Sequence, residues 1–175
     1  MTITPHDRTP MALEQEIKVY QFMQGYGEML LSDIAEADAF KLICDGGVSP
    51  AWIIGHLGFV ANGMLARCGA ESKIDLEALR PLFAGGSKPA NDDATRYPSW
   101  GTLLATWRQG HADLAALAPA LKGDVLSLPN PSERMRGNGL PMMHDLLSFV
   151  MTGHEGTHLG QLSTWRRVQG RSPLF

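Results

Sequence analysis

Two histidines spaced four apart, His154 and His158 in HEGTH, are the residues of this sequence best placed to do chemistry. On a helix that spacing sets them about 40° apart around the axis and about 6 Å apart along it, so both imidazoles can reach one metal ion. The surrounding stretch, LPMMHDLLSFVMTGHEGTHLGQLSTWRRVQG, reads as one long helix. Met143, Leu147, Val150, Met151, His154, His158, Gln161, Trp165 and Val168 fall on one stripe of it. Polar groups inside a core-facing stripe are costly unless something satisfies them. A lone histidine there is satisfied by a carbonyl; a pair at this spacing suits a divalent transition metal ion.

HEGTH also matches H-E-x-x-H, the zinc-protease pattern, with Glu155 as the would-be general base. The remainder of that pattern is missing. Thr164 occupies the position where an extended motif needs a third histidine, and no Asp or Glu follows Glu155. The third ligand must therefore come from upstream. Glu155 projects about 100° from His154, at the edge of the site. It can act as a base for metal-bound water, orient a ligand, or serve as a boundary carboxylate in a salt bridge. Gln161, three residues after His158, is expected beside the ligands or in the pocket wall, where its amide can bond an imidazole.

The elements that must position these groups follow from the pattern upstream. From about Met11 to Asp38, Leu13, Ile17, Tyr20, Gly27, Leu31 and Ile34 recur at threes and fours, which predicts a first helix. Gly46 and Gly47 punctuate the next segment. Ser49-Pro50 reads as a helix start, serine capping and proline in the first turn. That second helix carries His56 among Trp52, Ile53, Phe59, Val60, Gly63 and Met64. Alone, His56 is equally a core histidine; beside HEGTH it is the natural third ligand. Residues 70–98 form a long Gly/Pro-rich connection whose apolar fragments suggest a short helical turn folded over the bundle. A third helix begins after Ser99, with Trp100, Leu103, Leu104, Trp107, His111, Leu114 and Leu121 on its inner face. His111 is there either a satisfied core residue or a group touching the site. The fourth helix runs from about Pro141 to Gln169 and stops at Gly170, with Arg166 and Arg167 suiting the dipole of its last turn.

Four helices with two long connections, and no β-alternation, predict an all-α four-helix bundle. The expected organisation is a loose arm over 1–10 and a single domain over 11–175. With 175 residues, 44% hydrophobic and 19% charged, the chain suits one ordinary globular domain. A net charge of −3 without a basic stripe gives nucleic-acid binding no support. No run reaches the length of a membrane span, and MTITPHDRTP lacks the apolar core of a signal peptide. Two cysteines, Cys44 and Cys68, outside any C-x-x-C pattern point to the cytoplasm.

HEGTHLGQLSTWRRVQG is similar to the C-terminal helix motif of the DinB/YfiT-like family, commonly H-x-x-x-H-x-G-Q followed by Arg-Arg and Gly. SPAWIIGHLGFVANGML resembles the family's second-helix motif, in which a tryptophan, here Trp52, precedes a ligand histidine, here His56, by four residues. The resemblance runs through the chain in helix order. It implies a four-helix bundle of DinB/YfiT type and one divalent metal ion, zinc or nickel, held by His56, His154 and His158. It also implies frequent homodimers, and chemistry of the kind done by thiol-dependent transferases and isomerases that use small cytoplasmic thiols. Gly156 and Thr157 between the last two histidines, and the long middle loop, depart from some relatives.

The leading expectation is a cytoplasmic metalloenzyme. Three histidines leave an open coordination position at which a metal activates water or a thiol. The resemblance favours thiol-dependent S-transfer over hydrolysis. Neither cysteine lies in a catalytic motif, so the thiol would be a low-molecular-weight cosubstrate. The small-molecule pocket is expected to be apolar, lined by some of Trp52, Phe59, Met151 and Trp165, with His111 as a candidate contact. The alternatives are a non-catalytic metal-binding stress-response module, whose site would be closed by a fourth protein ligand, and a metal-free dimeric interaction protein. Gly153, Gly156 and Gly160 share one side of the fourth helix; Ala51, Gly55, Gly58 and Asn62 share one side of the second. Helix glycines are unfavourable unless a backbone must come close. These faces serve either packing within the chain or a homodimer.

Overall fold

The computed structural model describes residues 13–87 and 93–174; the expected arm at 1–10 lies outside them. Helix α1 (Glu14–Leu31) ends seven residues earlier than the periodicity suggests, and α2 (Glu36–Ala39) is a separate turn. The Ser32 hydroxyl donates to the Met29 carbonyl at the break. An acidic Asp33 just past a helix C-terminus opposes the dipole, and its carboxylate is instead taken up by Arg166 and Arg171.

Helix α3 (Pro50–Arg67) starts as expected, with Ser49 Oγ accepting the Trp52 N–H at 3.2 Å and Pro50 in the first turn. All of its first nine residues, Pro50 to Gly58, are buried, so it runs through the middle of the bundle with apolar neighbours on every side. Helix α4 (Leu76–Phe83), capped by Asp75, lies across it as a strap. The Phe83 ring rests where a Cβ on Gly55 would sit only 2.2 Å away. Helix α5 (Trp100–Leu117), capped by Ser99, packs on the other side. A Cβ on Gly58 would meet the Trp107 backbone at 3.1 Å, and one on Gly110 the Asn62 amide at 2.7 Å. The small residues of α3 thus serve packing within the chain. On the last helix, Gly153 faces Phe149, Gly156 approaches Met23, and Gly160 meets nothing within 4 Å.

Helices α6 (Gly123–Leu126) and α7 (Glu133–Gly137) lie in the second connection, which Pro129 and Met142 close by a single bridge. No β-strand occurs among the described residues. The last rod consists of α8 (Met143–Phe149), a π-helical turn (Val150–His154) and α9 (Glu155–Val168). It stops where expected: Gly170 has φ +75°, and the Arg171 N–H returns to the Arg166 carbonyl at 2.9 Å.

The π turn corrects the single stripe read from the sequence. One extra residue in a turn shifts the helix phase by about 100°. Met143, Leu146 and Leu147 are buried before it and Val150 and Met151 at its start; Glu155, Leu159, Leu162, Trp165 and Arg166 are buried after it. His154 and His158 therefore sit half-buried at the rim of the core face, and Val168 is 58% exposed. Arg166 is buried rather than merely facing the dipole: it donates to the Leu30 carbonyl at 2.7 Å and pairs with Asp33. The core divides between a half around Ile53, Phe83, Trp107 and Trp165 and a half around Tyr20, Met64, Leu147 and Met151. No helix among the described residues is long and apolar enough to cross a membrane.

Candidate metal centre

His56, on the central helix, is fixed first by packing. Its ring stacks on Trp52 at 4.9 Å with 4° between planes, and Trp52 is itself tied to the strap through Nε1–H to the Leu82 carbonyl. The Nδ1 of His56 lies 2.6 Å from the Phe83 carbonyl, an acceptor only, so Nδ1 donates and Nε2 keeps its lone pair. The connection over 70–98 thus supplies a main-chain partner to the site.

His158 is oriented by its own helix. Its Nδ1 lies 2.8 Å from Gln161 Oε1, which leaves Nε2 free to bind. His154 turns its Nε2 to within 3.0 Å of His56 Nε2, and Phe149 packs edge-on against its ring at 5.8 Å. The possible ligand atoms of His56, His154 and His158 all lie within 4.8 Å of one another. Bonds of about 2.0–2.1 Å in a tetrahedral site place neighbouring nitrogens about 3.3 Å apart, so the cluster is of the right size. His154 Nδ1 is buried without a partner among the described residues.

Burial holds all three imidazoles below their ordinary pKa. For His56 and His158 desolvation is the main cause. His154 is pushed down to about 3 by desolvation and then by the neighbouring His158, His56 and His111. All three are therefore neutral near pH 7, the state in which imidazole is a ligand. The donor set and its protonation fit a divalent transition ion, with room left for an exogenous ligand because His154 and His158 are only half-buried.

The other expected site residues are distributed differently. Trp52 walls the cluster, and Gln161 both holds His158 and lines an adjoining depression of about 630 Å³ with Ile43, Val48, Thr157, Gly160 and Thr164. Phe59 is half-buried against the core. Met151 and Trp165 are fully buried, and Trp165 Nε1 donates to the Lys41 carbonyl, so the pair packs the core rather than facing an open pocket. Glu155 is 1% exposed and outside the group of ligand atoms; its Oε2 is 3.0 Å from Nε2 of His111, which is itself wholly buried. Glu155 is thus not at the edge of the site, and of the two roles open to His111 the structure shows the satisfied core residue; the two pair inside the core. The phase change at the π turn is the cause. The pair had one signal in the sequence: Leu159, Leu162 and Arg166 follow Glu155 at helical spacing.

A helical bundle whose second long helix gives one histidine and whose last gives two, meeting at the rim, is a three-histidine bundle of defined class. The family model of the DinB superfamily matches residues 21–162, and the chain belongs to that superfamily. Its structure is similar to that described as YfiT from Bacillus subtilis, "a probable metal-dependent hydrolase with an unusual four-helix bundle topology". The two share 16% identity with a TM-score of 0.62, over 97% of this chain and 95% of that one. No curated protein matches the sequence.

Proposed function

We propose that this chain is a metal-dependent enzyme that activates a small nucleophile at a zinc or nickel ion held by His56, His154 and His158. One observation carries the reading: three neutral imidazoles converge, two of them with Nδ1 committed to a carbonyl acceptor so that Nε2 faces the common point. A bound divalent ion with an open position lowers the pKa of a water or thiol ligand and supplies a nucleophile near neutral pH. The chain's own residues do the rest. The Phe83 carbonyl and Gln161 hold the two rings in one tautomer, and Trp52 shields His56 from water. The depression lined by Thr157 and Gln161 offers a small substrate a seat on the helix that carries His158. Its mixed walls suit a molecule with both an apolar part and a hydrogen-bonding group.

The likeness to YfiT supports hydrolysis, in which the nucleophile is water. Thiol-dependent S-transfer uses the same centre with a low-molecular-weight thiol as cosubstrate. Cys44 is exposed and Cys68 buried, and neither belongs to the histidine group, so the protein supplies no thiol there. Metal analysis of the pure protein, followed by assays with esters and amides and with small thiols plus electrophiles, tests the proposal. It expects one equivalent of metal and turnover that a chelator abolishes. Metal-free protein after growth with zinc and nickel would overturn it. A cytoplasmic location and a homodimer complete the proposal; sedimentation measures the latter.

A further inference from the structure

We infer that Glu155 and His111 form a buried brace that positions His154, and that Glu155 is not the general base its H-E-x-x-H context suggests. The inference rests on the metal-centre reading above and concerns how the chain holds one of its ligands.

The geometry has three parts. First, Glu155 is committed elsewhere: Oε2 faces His111 Nε2 at 3.0 Å, and the two side chains are 2% and 1% exposed. Its other oxygen, Oε1, is buried too. A base must come within hydrogen-bond reach of the proton it takes, and this carboxylate lies on the core side of the helix. Second, His111 cannot follow a moving partner. Its Nδ1 donates to the Trp107 carbonyl at 2.9 Å, its ring stacks on Tyr20 at 4.7 Å, and Trp107 flanks it at 5.2 Å. Three long helices thus meet at this ring: α1 through Tyr20, α5 through Trp107 and His111, and α9 through Glu155. Third, the attachment falls at the one place where the last rod is irregular. The π turn ends at His154 and α9 begins at Glu155. A widened turn does not fix the direction of its last side chain by regular periodicity. Anchoring the next residue to an immobile partner does.

A polar pair this deep is costly to break from one side, since the remaining partner stays buried and unpaired. It is therefore held tightly, and the imidazole one residue before it inherits that precision.

The experiment uses the full chain and Co(II), whose visible spectrum reports coordination geometry. Glu155→Gln keeps the brace, because an amide N–H can donate to His111 Nε2. Glu155→Asp keeps the carboxyl group but falls short by one methylene; Glu155→Ala and His111→Ala remove the contact. The brace predicts Co(II) affinity within about threefold of wild type for Gln, and a loss of about 10–100-fold with an altered spectrum for Asp and both Ala variants. The Ala double variant should be no worse than either single one. Circular dichroism of each metal-free variant checks folding, and the Gln and Asp pair remains decisive if the Ala variants do not fold. Gln as damaging as Ala, or Asp with unchanged affinity and spectrum, would overturn the inference. So would a Gln variant with normal Co(II) binding and no turnover, which is the signature of a base. If wild type takes up no Co(II), the metal reading itself fails.

Discussion

Helices α3 and α9 present histidines to the same point but hold them by different means. On α3 the ligand belongs to a regular helix buried all round, clamped between Trp52 and a strap whose Phe83 fills the space above Gly55. On the last rod one histidine ends a π turn at the rim and the other lies one turn into α9; both are held by polar partners, Gln161 for His158 and the adjacent Glu155–His111 pair beside His154. Packing, backed by one main-chain carbonyl, fixes the first, and side-chain hydrogen bonds fix the second. Shape complementarity tolerates no added volume, whereas a polar contact tolerates added volume but not a missing partner.

The bluntest way to test this pairing of supports is to remove the ligands. His154→Ala and His158→Ala should each abolish stoichiometric metal retention, read by elemental analysis after gel filtration. Next in size is an attack on the packed side. Gly55→Ala places a methyl 2.2 Å from the Phe83 ring, so Phe83 and the carbonyl that holds His56 must shift together. Expected are a loss of about 1–3 kcal/mol of stability and weaker metal binding, by chemical denaturation and chelator competition. Recovery of both on adding Phe83→Leu would sharpen the packing account. The polar side should respond otherwise: Gln161→Leu strips His158 of its acceptor and should lower metal affinity about tenfold with stability nearly unchanged. Equal losses of stability from the two variants would erase the distinction between the helices.

A further test lies in pH. All three imidazoles have folded pKa values depressed by burial, His154 to about 3, while an unfolded histidine titrates near 6.5. The unfolded chain therefore binds protons first as pH falls. Their contribution to stability is complete above pH 6.5 and is lost as pH drops from there toward 3. Each titrating site adds a slope of at most about 1.4 kcal/mol per pH unit. Melting temperature of the metal-free protein against pH measures it, and a flat profile between pH 7 and 4 would contradict the burial of these rings.

Much of this was legible in the sequence because it is local. Ser49, Ser99 and Gly170 mark helix ends through their own backbone chemistry, and each sits where the pattern placed it. The spacing of His154 and His158, and the tryptophan before His56, pointed to the histidine cluster and to the family. What escaped depends on phase or on distance. A π turn adds one residue without a composition of its own, and apolar residues on both sides of the rod concealed the slip. With the phase misread by one position, Glu155 looked peripheral and Met151 and Trp165 looked like pocket walls. The Arg166–Asp33 pair and the strap over α3 join segments far apart in the chain, which periodicity does not register.

The strap also bears on how such chains diverge. The group that orients His56 at position 83 is a carbonyl of the main chain, which every amino acid possesses. Inheritance therefore acts on that position through volume alone: what must persist is a ring-sized filler opposite an empty place at 55. Relatives that exchange Gly55 for a larger residue should carry a smaller one at 83, and the two sites should change as a linked pair while the rest of α4 drifts. A site can in this way keep its chemistry while the segment that supports it is rewritten.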